Sequence, residues 1–382
     1  MKLVVFGLSI SSSWGNGHAT LWRALCRALA RRGHHTVFFE RDVSYYAAHR
    51  DMLAMHGVDL VLYGDLDGIR TRAVHELASA DVGMVTSYCP DAVAASALVS
   101  EHAATSVFYD LDTPVTLDGL RRGSTVPYIG ERGLQDFDLV LSFTGGEALT
   151  TLRETLGARR VAPLYGSVDP SVHHPVAPVE QYRGLLSYLG TYAEDRQEML
   201  VKLFLDPARA MSDERFIIGG AKYPHDFPWA PNVFFVQHLP PSEHPAFFCS
   251  SKLTLNITRQ AMAAMGYCPS GRLFEAAACG TPILSDYWDG IAPFFTPGAE
   301  LLVARDTADA LAALELTDEE LHRIGRAARD RTLTEHTADN RALDLERALE
   351  LVRQPATELA PLSSMRREST RADAWPAYRM ET

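Results

Sequence analysis

The apolar residues of the first half of the chain fall in short, uninterrupted runs. They are KLVVFGL at the start, HTVFFE over 35–40, DLVLY over 59–63, VGMVT over 82–86, TSVFYD over 105–110 and DLVLSF over 138–143. Runs of this length, rich in Val and Phe and lacking polar alternation, are the pattern of strands buried on both faces of a parallel sheet. Between the first two the period changes. ATLWRALCRALARRG places Leu21, Leu25 and Leu29 four residues apart, on one face of a helix, and Gly33 stands where a C-cap belongs. Strands alternating with helices predict a doubly wound α/β domain over residues 1–168.

The segment GSVDPSVHHPVAPVEQ (166–181) breaks the alternation, because its prolines at 170, 175 and 178 forbid a regular helix and suit an extended connector. The pattern then restarts with LLSYLG (185–190), RFIIGG (215–220), NVFFVQ (232–237), KLTLNI (252–257) and TPILSD (281–286). These predict a second domain over 169–352, closed by the charge-rich helical stretches 317–333 and 339–352. Residues 353–382 show no sustained periodicity and are expected to form a loose tail. Two such Rossmann-like halves leave a cleft between the carboxyl ends of their sheets.

Composition narrows the function. A length of 382 residues suits about two domains. The net charge of −12 opposes a nucleic-acid groove as the main function, though local arginines still suffice for one diphosphate. No stretch reaches the roughly 20 apolar residues of a membrane span. The first apolar run is interrupted by Ser11-Ser12-Ser13, which favours a buried strand over a signal peptide, and free thiols would suit a reducing cytoplasm. The five cysteines are scattered with no CxxC pair, so free thiols are expected and neither a disulfide framework nor a structural zinc site.

Three places carry candidate chemistry. In SISSSWGNGHA (9–19), Gly15, Asn16 and Gly17 let backbone approach a ligand just before a helix N-terminus. His18 there is a candidate base or ligand contact, with a helix-capping or merely polar role as the alternative. The loop is not GxGxxG, but Glu40 at the end of the second strand keeps a nicotinamide-dependent dehydrogenase as a rival. In YDLDTP (109–114), Asp110 and Asp112 lie at a strand end, where one of them can orient or deprotonate an acceptor hydroxyl. In GRLFEAAACGTPILSD (271–286), Glu275 is the lone carboxylate of an alanine-rich helix, a costly place for an unpartnered charge. A ribose diol would satisfy it with two charge-assisted hydrogen bonds; a solvent-facing glutamate is the alternative.

The string FEAAACGTPIL resembles the nucleotide-sugar signature of group 1 GT-B glycosyltransferases, Glu-Ala-x-Ala-x-Gly-x-Pro ahead of a strand. The resemblance implies that Glu275 holds the ribose hydroxyls. GAELLVARD (298–306) is similar to the family's strand-plus-Asp element, and LYGSVDPSVHHP (164–175) to its interdomain crossing. LGTYAEDRQEML (189–200) resembles the Gly-turn and helix that open the family's second domain. This implies Gly190 and Thr191 at the turn, and Arg196 with the helix N-terminus on the donor diphosphate. His238 falls where the family's loop meets the nucleotide base, while Asp286 and Asp289 either approach the donor sugar or cap the segment that follows.

The chain departs from the commonest pattern in having Tyr267 where a first glutamate would stand, and Thr191 where an arginine would. With FERD (39–42), YDLDTP and Arg272 three positions before Glu275, it looks more like the CgeB-like, spore-maturation-type branch. Arg259 is a second candidate to supply the missing charge. The resemblance implies transfer of a hexosyl group from a nucleoside diphosphate sugar to a hydroxyl or amine of a small molecule or glycan. It further implies retention of configuration, no metal and no cofactor besides the donor. The D-x-D strings Asp65/Asp67 and Asp110/Asp112 point weakly to a metal-dependent GT-A enzyme instead. A nucleotide-sugar epimerase and a non-catalytic nucleotide-sugar binder remain as alternatives on the same fold.

Overall fold

The computed structural model describes residues 1–353. Strands β1 (Lys2–Gly7), β2 (His35–Arg41), β3 (Val58–Tyr63), β4 (Val82–Thr86), β5 (Ser106–Asp110), β6 (Leu139–Ser142) and β7 (Val161–Pro163) form one parallel sheet, in the order β3-β2-β1-β4-β5-β6-β7. A second parallel sheet holds β8 (Gly184–Leu189), β9 (Phe216–Gly220), β10 (Val233–Gln237), β11 (Ser251–Asn256), β12 (Ile283–Asp286) and β13 (Leu302–Ala304), in the order β10-β9-β8-β11-β12-β13. Each apolar run of the sequence becomes a strand. β7, only three residues long, was not foreseen.

The continuous runs follow from burial on both faces. In β1, Val4 and Phe6 enter one core layer while Leu3 and Val5 enter the opposite one. In β9, Ile217 faces one layer and Phe216 and Ile218 the other. Alternation is invisible in sequence when both sides are dry. No helix among the described residues is long and apolar enough to cross a membrane.

The chain crosses between the domains twice, and the crossings pair. The Val168 N–H donates to the His336 carbonyl at 3.1 Å, and the Ala338 N–H to the Val168 carbonyl at 2.8 Å. The last helix, Ala338–Arg353, therefore returns to the first domain. Its Ala338, Ala342, Leu345 and Leu349 pack into one cluster with Leu25, Cys26 and Leu29 of helix Gly17–Arg31. Arg31 pairs with Asp339 at 2.9 Å across the same contact. This revises the assignment of 338–352 to the second domain: an apolar stripe at helical spacing does not say which core it will cover. Apart from Arg353, which closes this helix, the tail expected over 353–382 lies outside the described residues.

Candidate active site at the domain cleft

Strand order reverses between β1 and β4 in the first sheet and between β8 and β11 in the second. In open α/β sheets such reversals split the loops at the carboxyl ends and leave a crevice. Here the two crevices face each other across one cleft of about 480 Å³, within the range of small-molecule sites. Gly15, Asn16, Gly17, His18 and Asp112 line it from the first domain. Gly190, Thr191, Arg196, His238, Arg259, Arg272 and Glu275 line it from the second. Asp110, Asp286, Asp289 and Glu40, also candidates in the sequence, do not line it.

The glycine loop is shaped by a residue with a different expected role. Glu40, fully buried at the end of β2, accepts from the Ile10 and Ser11 N–H groups at 2.8 and 2.9 Å and from the Ser9 and Ser11 hydroxyls at 2.9 and 2.5 Å. Its acceptor positions are filled from within the loop, so it is not presented to a cofactor ribose and the dehydrogenase alternative loses its residue. Asn16 caps helix Gly17–Arg31 by accepting from the His18 N–H at 3.1 Å, and its amide donates to the Ser9 and Ser12 carbonyls at 3.0 and 3.1 Å. It lines the cleft as a staple of the loop. Gly15 sits at φ +58°, a conformation that disfavours side chains. A Cβ on Gly17 would meet nothing within 4 Å.

His18 Nε2 lies 3.5 Å from Asp112 Oδ2, and its buried Nδ1 has no partner. Asp110 lies beneath this pair. It is fully buried, its Oδ1 accepts the Asp112 N–H at 3.1 Å, its Oδ2 is unpartnered, and burial pushes its pKa up to about 6. Expected at the substrate, Asp110 instead holds the backbone of Asp112, because strand residues alternate in facing and β5 ends with this one turned inward. The other D-x-D string is a helix start: Asp65 Oδ1 accepts the Gly68 N–H at 2.7 Å and caps Leu66–Ala78.

On the second domain the arginines differ from one another. Arg272 is fixed on three sides: Nε donates to the Leu189 carbonyl, Nη1 to Asn256 Oδ1 at 2.9 Å, and the guanidinium lies 5.1 Å over the Tyr188 ring. Burial pushes its pKa below the ordinary arginine value. Arg196, at the start of the helical segment 194–210, donates from Nη1 to the Thr191 carbonyl at 3.2 Å, while its buried Nε has no partner. Among the described residues neither is ion-paired with a carboxylate within 4.0 Å. The neighbouring Asp195 is taken by Arg259 at 3.1 Å. Gly190 is a steric requirement, since a Cβ there would lie 2.8 Å from the Tyr188 hydroxyl and 3.0 Å from Arg272 Nη2.

Asp286 does not approach the cleft. It is buried, with its pKa raised to about 6 by that burial, and receives the Thr258 N–H at 3.0 and 3.1 Å, which sets the backbone just before Arg259. Asp289 accepts from the Tyr287 hydroxyl at 2.9 Å and lies outside the cleft. Tyr267, at φ +48°, packs its ring against Gly146 and Gly290, also outside the cleft.

Helix Gly271–Ala278 buries Leu273, Phe274, Ala276, Ala277 and Ala278 and turns Glu275 toward the cleft. No hydrogen-bond donor of the described residues reaches the Glu275 carboxylate. His244 Nδ1 is 3.5 Å away and His173 Nε2 4.0 Å. Burial acts to raise the Glu275 pKa, but His173, His244 and Arg272 together outweigh it and hold the group at about 2. Neither histidine was singled out by sequence, where one belongs to a proline-rich linker and the other follows a Pro-Pro turn. Trp14 was missed as well. It stacks on His49 at 4.0 Å and packs against His238 of the second domain at 4.1 Å, a contact between the two domains beside the cleft-lining His238. The burial of His238 lowers its pKa.

Residues 196–347 match the family model described as Glycosyl transferase-like. No curated protein matches the sequence. Among solved structures, the chain is similar to sucrose-phosphate synthase from Thermosynechococcus elongatus, with TM-score 0.70 and 13% identity over 92% of this chain and 99% of that one. It is similar to Anabaena HepE in complex with UDP and glucose, with TM-score 0.67 and 12% identity over 92% of this chain and 100% of that one. A third is an alpha-glucosyltransferase in complex with UDP and a 13-mer DNA, with TM-score 0.65 and 12% identity over 92% and 99%. At these identities the likeness is one of fold. The chain has the two-domain GT-B fold of glycosyltransferases, and its segment matching the glycosyl transferase-like family is the one that carries Arg196, Arg259, Arg272 and Glu275.

Proposed function

We propose that the cleft binds a nucleoside diphosphate sugar and that the protein transfers the hexosyl group to a hydroxyl or amine acceptor. One observation carries this reading: two half-buried guanidinium groups without carboxylate partners share the cleft with a half-buried carboxylate that no donor satisfies. A buried charge without a partner is costly. A diphosphate joined to a ribose diol is the complement of that arrangement, with anionic oxygens for Arg196 and Arg272 and two hydroxyl donors for Glu275. The Gly190–Thr191 turn and the start of segment 194–210 add N–H groups to the same anion. His238 lies at the base end, and Arg259, shared with Asp195, supplements the leaving diphosphate. Two of the similar structures contain UDP, which supports a uridine donor.

The acceptor enters from the first domain, over Gly15 and Gly17. His18 Nε2 takes the hydroxyl proton, and Asp112 supports the imidazolium that forms. Charge compensation by arginines leaves no step that needs a metal, and we assign the reaction to the retaining class. Arg272 three positions before Glu275 supports the CgeB-like branch. The free cysteines among the described residues suit a reducing compartment, which we take to be the cytoplasm.

The test is turnover. Purified protein with UDP-, GDP- and dTDP-sugars, an acceptor panel and EDTA should release nucleoside diphosphate and form a product heavier by one hexosyl unit. His18→Ala should lose roughly 10²–10⁴-fold in kcat, with nucleotide affinity unchanged. An epimerised donor formed without acceptor would replace this reading with the epimerase, and a bound donor never consumed would replace it with a binding protein.

A further inference from the structure

We propose that His173 Nε2, His244 Nδ1 and Glu275 Oε2 form a binding site for a divalent transition metal of the zinc class, which competes with the nucleotide for Glu275. The competition rests on the reading of Glu275 given above, whereas the metal site rests on geometry alone.

Convergence is the first ground. The three ligand atoms lie within 4.8 Å of one another, with the glutamate oxygen 3.5 Å from His244 and 4.0 Å from His173. A triangle with those sides has its corners about 2.1–2.4 Å from a common centre, and zinc bonds to imidazole and carboxylate run about 2.0–2.2 Å. Adjustments of a few tenths of an ångström complete three bonds. The separations are too long for direct hydrogen bonds but suited to ligands of one central ion.

The second ground is the direction of the lone pairs. His244 Nε2 faces the Leu239 carbonyl at 3.3 Å, which places the ring proton on that nitrogen. Nδ1 then presents a lone pair to the Glu275 carboxylate, an arrangement that calls for a cation between them. A ligating histidine whose other N–H is held by a backbone carbonyl is the usual outer support of a zinc site. His173 adds to the case. It is 2% exposed, and neither of its ring nitrogens has a partner. Buried polar atoms left this way call for an explanation such as an ion.

The scaffold is rigid on all three sides. The His173 N–H donates to the Asp169 carbonyl at 2.9 Å, and the Asp169 carboxylate is paired with Arg27 of the first domain at 2.7 Å. His244 and Glu275 stand on helices His244–Cys249 and Gly271–Ala278. Two imidazoles and one carboxylate suit zinc, copper or nickel and disfavour magnesium, which prefers an all-oxygen shell. The fourth position opens on the cleft, because His244 and Glu275 both line it.

Calorimetry on the demetallated full-length protein at neutral pH tests this, with ZnCl2 and MgCl2 as probes. One zinc per chain should bind the wild type, magnesium should not, and His173→Ala and His244→Ala should each weaken zinc at least tenfold. UDP binding by His173→Ala reports that the variant is folded, and saturating zinc should raise the apparent Kd for UDP at least tenfold in the wild type and not in that variant. X-ray absorption at the zinc edge should show two imidazole ligands. Absence of zinc binding, unchanged zinc affinity in both variants, or an edge without imidazole scattering overturns the site and leaves a proton as the cation between His244 and Glu275. Zinc binding that leaves UDP affinity unchanged overturns the competition. Should zinc bind as described while no nucleoside diphosphate binds at all, the metal site stands and the glycosyltransferase reading falls.

Discussion

Removing the Glu40 carboxylate should loosen the glycine loop and, through it, the first-domain wall of the cleft. Glu40 accepts two backbone N–H groups and two hydroxyls in a site closed to water. In Glu40→Ala the hydroxyls can turn to other acceptors, but the Ile10 and Ser11 N–H groups cannot. Two orphaned buried donors at about 1–3 kcal/mol each give a loss of about 4 kcal/mol. That is a large share of the roughly 5–15 kcal/mol that holds a typical protein folded. Glu40→Gln keeps one oxygen where both N–H groups point and should lose only about 1–2 kcal/mol, the difference between a charged and a neutral acceptor. Urea unfolding followed by tryptophan fluorescence measures both, since Trp14 and Trp22 lie on or beside the loop. Turnover should fall with stability in the alanine variant while nucleotide affinity holds, because the proposed donor contacts belong to the other domain. A Glu40→Ala protein within about 1 kcal/mol of wild type, or one indistinguishable from Glu40→Gln, would refute the reasoning.

Two further outcomes follow from the buried groups around the cleft. The folded pKa of Asp110, about 6, lies above the ordinary carboxylate value of 3.8, so the native state holds the extra proton and stability falls as pH rises from about 4 to 6. Asp110→Asn should raise stability at neutral pH by up to about 3 kcal/mol, at 1.36 kcal/mol per pKa unit, and flatten that fall; Asp286, shifted the same way, should leave part of the slope in place. Denaturation midpoints measured across that range check it, and an unchanged slope counts against the assignment. Gly190→Ala drives a methyl against the Tyr188 hydroxyl and Arg272 Nη2, so calorimetry should show UDP affinity reduced about tenfold or more with the fold retained, and equal affinity would contradict the placement of Arg272.

The sheets were legible because dry strands must be continuously apolar and the helices between them must not be. That the glycine loop, Arg196, Arg272 and Glu275 line one cleft was legible because each stands at a loop or helix that follows the carboxyl end of a strand. What stayed hidden depends on three-dimensional partners. Glu40 looks the same in sequence whether it faces a ribose or the loop it staples. Asp110 and Asp112 look alike in sequence, but Asp110 is buried as the last residue of β5, whereas Asp112 lies past the strand at the start of helix Thr113–Arg121 and lines the cleft. Arg259 reads as a free cation until Asp195 is found beside it. His173 and His244 are distant in sequence and meet only around Glu275, and the stripe on 338–353 gives no sign of the core it covers.

The central claim is that Arg272 and Glu275 bind the diphosphate and the ribose of one donor. Calorimetric titration of UDP, GDP, dTDP and the corresponding nucleosides, with EDTA present, into wild type, Arg272→Met and Glu275→Gln tests it most directly. One diphosphate should bind the wild type without metal, and Arg272→Met should weaken it about 100-fold, or roughly 2.7 kcal/mol, while leaving the weak affinity of its nucleoside unchanged. Glu275→Gln should weaken nucleoside and nucleotide alike. If no diphosphate binds, or if Arg272→Met binds it as tightly as the wild type, the account of the cleft is wrong.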